Sequence, residues 1–137
     1  MKVTRLHLDA NVILRFLRDD DPQQSPAAAR LFADAKAGRV TLRLSNVTLA
    51  EVFYVLARVY RLGNGPTAET LLPLVQSDLI DVEFRHRAMD TLRRVAETKV
   101  DFGDAYLAAS AAEAGEAVAS FDTDLQAFKD VNTVVPR

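Results

Sequence analysis

Short apolar runs of four to six residues alternate with longer segments of helical period along the whole sequence, and this alternation restricts the chain more than any single motif. "VTRLHL" (3–8), "VTLRLS" (40–45), "LIDVEF" (79–84), "AVASF" (117–121) and "TVVP" (133–136) read as strands. Between them, 11–19 has helical apolar spacing at Val12, Leu14, Phe16 and Leu17, and 19–38 reads as a turn and an Ala-rich helix stopped by Gly38. A long apolar-striped helix is expected over 46–65, stopped by Gly63 and Gly65. Another spans 66–77, opened by Pro66 and bent at Pro73. A charged amphipathic helix covers 85–99, a helix of small residues covers 102–115, and 123–128 forms a helical turn. Short apolar strands separated by helices predict a parallel sheet covered on both faces. The expected fold is α/β, a three-layer α/β/α sandwich around a short parallel sheet of four to five strands. At 137 residues it forms one domain, 1–137.

Composition removes several chemistries. There is no cysteine and there are two histidines, so thiolate nucleophiles, disulfides and His- or Cys-built zinc sites drop out. His7, inside the first strand, reads as a packed core histidine, and His86 as exposed surface. The charged N-terminus lacks a secretion core and no apolar run could span a bilayer, which predicts a cytoplasmic location. The net charge of −2 does not mark a domain held to nucleic acid by phosphate contacts alone.

The acids are placed more informatively. In open parallel sheets, functional groups collect beyond the carboxyl ends of the strands. Asp9 follows the first strand in "LHLDANVIL", Glu51 lies one turn into the helix after the second, Asp104 falls in the first turn of "VDFGDAYLAA", and Asp122 follows the fourth strand in "ASFDTD". Four gathered carboxylates repel one another, so either a raised pKa or a bound hard cation such as Mg²⁺ or Mn²⁺ must compensate. Capping competes with these roles. Asp9 suits the N-cap of the helix it precedes, Asp101 suits that of the helix holding Asp104, and Asp124 suits a cap or an auxiliary role. Glu51 lies between Leu49, Val52, Phe53 and Leu56 and is expected to be buried. "DDD" (19–21) before Pro22 reads as a solvated turn capping the next helix.

Taken together, "LDANVIL", "NVTLAEVFYVL", "VDFGDAYLAASA" and "ASFDTDLQAF" resemble the four motifs of the PIN domain family, and within it the small VapC-like toxins of toxin–antitoxin pairs. The resemblance covers nearly the whole chain. It implies a metal-dependent endoribonuclease in which Asp9, Glu51, Asp104 and Asp122 hold one or two Mg²⁺ or Mn²⁺ ions and leave 5′-phosphate and 3′-hydroxyl ends. Asn11 would orient Asp9 or a metal-bound water, with Asp101 and Asp124 as auxiliary acids. RNA would be held by arginines on the helices, among them Arg15, Arg18 and Arg58, with Arg61, Arg85, Arg87, Arg93 and Arg94 also available. Arg58, two turns after Glu51, shares its helix face. The implied partners are an RNA substrate, a VapB-like protein antitoxin and a second copy of the chain, with no membrane. An apolar groove between 11–18 and 46–62, lined by Phe53, Tyr54 and Tyr60, would receive the antitoxin. A PIN domain that binds RNA or a partner without cutting is the alternative. A receiver-like domain lacks its acidic neighbour to Asp9 and its late lysine, and a phosphatase with an aspartate nucleophile would want an acid where Asn11 stands.

Overall fold

The computed structural model describes residues 3–137. Strand β1 (Thr4–His7) leads into helix α1 (Ala10–Leu17) and α2 (Gln24–Lys36), followed by β2 (Val40–Leu44) and α3 (Asn46–Tyr54). α3 runs on as one wide π turn, Val55–Val59. Then come α4 (Asn64–Gln76), β3 (Ile80–Val82), α5 (Arg85–Thr98), α6 (Phe102–Ala114), β4 (Val118–Ala119), a 3₁₀ turn (Asp124–Ala127) and β5 (Thr133–Val134). Every strand pairing is parallel, and the helical crossovers that parallel pairing requires build the expected α/β/α arrangement. Among the described residues no helix is long and apolar enough to cross a membrane.

The local chemistry of the boundaries is plain. Asp21 Oδ1 accepts from the backbone N–H of Gln23 (2.9 Å) and Gln24 (2.7 Å), so the "DDD" turn does cap α2, and these bonds hold the Asp21 carboxyl below its ordinary range. Ser45 caps α3 through Thr48 N (3.2 Å). Gly115 closes α6 at φ 68°, a left-handed conformation that costs a residue with a Cβ. α4 starts two residues before Pro66, whose missing N–H falls harmlessly in the first turn, and it continues through Pro73.

The five expected strands form two ladders rather than one continuous sheet: β1-β2-β3 and β4-β5. β4 is only two residues long. Its bonds go to the β5 side, Val118 N to Asn132 O (2.9 Å) and Ser120 N to Val134 O (3.0 Å), while Leu8 N extends the β1 ladder toward Arg43 O (2.8 Å). The outer edge of β1 therefore has no strand partner among the described residues, and all four of its residues are exposed. His7 is exposed with them, not packed in the core as its position in an apolar strand suggested.

The core lies on the other two strands. Leu42, Leu44, Ile80 and Val82 are buried at alternate positions and meet Leu49, Val52, Phe53 and Leu56 of α3, Leu71 and Val75 of α4, Leu92 and Val95 of α5, and the alanines of α6. Each large side chain so buried contributes roughly 1.5–3 kcal/mol. Two arginines offered by the sequence for RNA serve this frame instead. Arg85 donates to the carbonyls of Val75 (2.6 Å), Ser77 (2.8 Å) and Ile80, locking the end of α4 to β3. Arg94, almost fully buried, pairs with Asp90 and forks onto Asp130, tying α5 to the segment before β5.

Candidate active site

The turn after β4 brings two acids together. The backbone N–H of Asp122 donates to Ser120 Oγ (2.9 Å), and Asp122 Oδ1 accepts from Asp124 N (2.9 Å), a local aspartate turn that points neighbouring carboxylates from one tight loop. Asp104, at the third position of α6, meets them: carboxylate oxygens of Asp104, Asp122 and Asp124 all lie within 4.8 Å of one another. Asp124, expected as a cap or an auxiliary acid, thus lies with Asp104 and Asp122 in one cluster. Asp104 is half-buried and the other two are exposed. Burial pushes the Asp104 carboxyl above its ordinary range, and the charges of Asp122, Asp124 and Asp101 push it further.

Asp101 is the N-cap of α6, accepting from Phe102 N (3.0 Å), as expected from its position. It also faces Arg58 Nη2 at 4.0 Å. Arg58 sits on the π turn that prolongs α3, a widened turn of the kind that often re-aims side chains at functional sites. This pair lays the outer face of α3 beside the first turn of α6.

Asp9 and Glu51 stand outside the three-acid cluster. Asp9 is exposed and caps α1, its Oδ1 accepting from Ala10 N (2.9 Å). Glu51 is exposed, against the expectation that the apolar stripe would bury it. Leu49, Val52, Phe53 and Leu56 face the core, while Glu51 shares the opposite face with Val47, Tyr54 and Arg58. Asn11 makes no hydrogen bond to Asp9 among the described residues. It lines a groove of ≈ 400 Å³ with Val12, Arg15, Ala27, Ala28 and Leu31.

That groove lies between α1 and α2, not between α1 and α3. Phe53 is buried in the core, and Tyr60 is held by its hydroxyl to Asp20 Oδ2 (3.2 Å) and by Arg18, which stacks 4.8 Å over its ring. Arg15 pairs with Asp20 (3.2 Å) and bonds Gln24 (3.0 Å), and Arg87 pairs with Glu113 (2.9 Å). Of the arginines expected to hold RNA, Arg58 alone is placed against the acids by an ion pair among the described residues.

Only oxygen ligands converge here, one carboxylate is partly desolvated, and the negative charge within the cluster is uncompensated. That donor set fits a hard divalent cation and suits neither zinc nor copper. Compared with known proteins, the chain matches the family model described as "PIN domain" over residues 6–131. No curated protein matches it.

Proposed function

Because the chain belongs to the PIN domain family, whose members are typically metal-dependent nucleases, we propose that it is a metal-dependent endoribonuclease and the toxin of a cytoplasmic toxin–antitoxin pair. The observation that carries this reading is the convergence of Asp104, Asp122 and Asp124 within 4.8 Å. These three would hold one Mg²⁺ or Mn²⁺ ion, with Asp9 and Glu51 contributing from the ends of β1 and the outer face of α3, either to it or to a second. The bound ion supplies an activated water and neutralises charge on the phosphate. The chain's own groups do the rest. Asp104, whose carboxyl burial pushes above its ordinary range, would be a ligand from the start of α6, and Asp122 keeps the loop folded through its bond to Asp124 N. Arg58 can exchange its long contact with Asp101 for an RNA phosphate. The α1–α2 groove would receive an antitoxin segment, and the active form would be a homodimer.

A second reading draws on the separation of Asp9 and Glu51 from the cluster: a PIN domain that binds RNA or a partner as a scaffold, or acts in RNA processing. One experiment divides the two. End-labelled structured RNA is incubated with the purified chain in Mn²⁺ or Mg²⁺, beside EDTA and Asp104→Asn controls. Cutting that needs both the metal and Asp104 supports the nuclease, and a folded, metal-binding protein that leaves RNA intact supports the scaffold.

A further inference from the structure

The fourth apolar run, "AVASF", ends on Phe121, a residue type that is ordinarily buried. In the structure β4 stops at Ala119, and Phe121 stands 79% exposed. It belongs neither to the core nor to the apolar residues packed against it, and among the described residues no aromatic ring or arginine stacks on it. A single exposed apolar side chain on the surface at large needs no explanation. This one stands on the loop that carries two of the three clustered acids.

The backbone on either side of the ring is held. Ser120 N donates to Val134 O (3.0 Å), Asp122 N to Ser120 Oγ (2.9 Å) and Asp124 N to Asp122 Oδ1 (2.9 Å). Phe121 is therefore the central residue of a closed turn, and its Cα lies one peptide unit, about 3.8 Å, from that of Asp122. The Asp122 carboxylate in turn lies within 4.8 Å of those of Asp104 and Asp124. Of the other residues that adjoin these acids in the chain, Ala105 and Leu125 are buried, and Gly103 and Thr123 have no ring. Phe121 is thus the one exposed aromatic side chain next to a clustered acid in sequence. A cation on the acids would hold an RNA phosphate, and the bases on either side of that phosphate then come beside this turn. Unpaired bases are commonly carried by stacking on aromatic rings. Val134 and Val135 are also exposed, at 56% and 51%, and make an apolar protein surface the competing occupant.

We propose that Phe121 is a stacking platform for the base of a nucleotide that flanks the phosphate held at the acids. Every base has a π face, so the ring fixes where a single-stranded RNA lies across the acids without reading its sequence. The proposal rests on the nuclease reading for its metal-held phosphate, and binding measurements test it apart from cleavage.

The test is fluorescence anisotropy of end-labelled oligo-U, oligo-C and oligo-A RNA with the full chain in Ca²⁺, a hard cation that carboxylates hold. Beside them runs an RNA carrying 2-aminopurine at each position in turn, whose emission falls when it stacks. Phe121→Ala should weaken all three RNAs about five- to a hundredfold, the range for one base on one ring. Phe121→Trp should restore binding, and Phe121→Leu, apolar but without a ring, should not. One 2-aminopurine position should be quenched by the wild type and not by Phe121→Ala, a signature that a merely structural role would not move. Circular dichroism verifies that each variant is folded. If RNA is cut in a metal- and Asp104-dependent way but Phe121→Ala binds RNA as the wild type does, or Phe121→Leu binds as well as Phe121→Trp, the platform is refuted and the nuclease stands. If RNA binds and is quenched through Phe121 while none is ever cut, the platform stands and the nuclease reading falls. If sedimentation shows a self-associating wild type and a monomeric Phe121→Ala chain with equal RNA affinity, the ring belongs to a protein contact and the platform is refuted.

Discussion

Replacing Asp104 by Asn should stabilise the metal-free protein while abolishing its response to metal. Three carboxylates within 4.8 Å make Asp104 a party to two close repulsions. Each is worth roughly 1 kcal/mol in a water-like dielectric and about 3–4 kcal/mol at an effective value near 20. Asp122 and Asp124 are exposed, so the lower figure applies, and Asn should gain about 1–2 kcal/mol, or about 3–6 °C in Tm for a domain of this size. The sign with pH follows from the raised carboxyl of Asp104. The folded chain keeps that proton above the pH at which the unfolded chain, at the ordinary 3.8, has lost it. Wild-type stability therefore falls as pH rises through this window, and the advantage of the variant grows from nothing in acid to its full value at neutrality. Denaturant unfolding in EDTA across that range measures it. Adding Mn²⁺ at about 100 times its Kd should then stabilise the wild type by roughly 2.7 kcal/mol and the variant by far less, reversing their order. An Asp104→Asn protein less stable than wild type in EDTA at every pH would refute the reasoning and make Asp104 a structural cap of α6.

Three other substitutions separate the site from the frame. Arg58→Ala removes an exposed pair at 4.0 Å, so stability should change by less than about 0.5 kcal/mol, while RNA binding weakens and the slope of log K against log[salt] falls by about one. Arg94→Ala should cost about 2–3 kcal/mol in urea unfolding, since it empties a buried position over the Phe128 ring and leaves the half-buried Asp90 and the exposed Asp130 without their partner. Arg94 also holds the Asp130 carboxyl below its ordinary range, so the part of this loss that comes from Asp130 should be complete at neutral pH and vanish as pH falls through the depressed folded value. Gly115→Ala forces a Cβ onto φ 68° and should cost about 1–2 kcal/mol, with no effect on Mn²⁺ binding.

The helices and strands were legible in the sequence because each is written in a local code. Glycines stand at the left-handed ends of α2 and α6, an aspartate or serine precedes α1, α3 and α6, and β-branched or leucine runs lie between. How the strands join was less so. Two-residue ladders at Val118 and Thr133 carry no periodicity from which a partner could be read, and what separates β4 from β1 is hydrogen bonding between distant segments. In the site, Asp104 and Asp122 were readable from their places after α6 begins and β4 ends, whereas the approach of Asp124 to them depended on the Asp122–Asp124 turn, which folds only in three dimensions.

Glu51 is different, because helical geometry alone was sufficient to place it. At about 100° per residue, Leu49, Val52, Phe53 and Leu56 all point within one half of the helix, and Glu51 stands about 150° from the middle of that stripe. Neighbours in sequence are not neighbours on a helix. The same angles put Val47, Tyr54 and Arg58 around Glu51, and the exposure of all four follows. An exposed Glu51 on the face of Arg58, which meets Asp101, can approach an RNA-bound cation from the solvent side. A buried Glu51 could not do so without desolvating its own charge. Its exposure thus removes the argument from burial and leaves one from position. Glu51→Gln should accordingly leave thermal stability within about 0.5 kcal/mol and weaken Mn²⁺ binding, and unchanged Mn²⁺ affinity would remove Glu51 from the metal site.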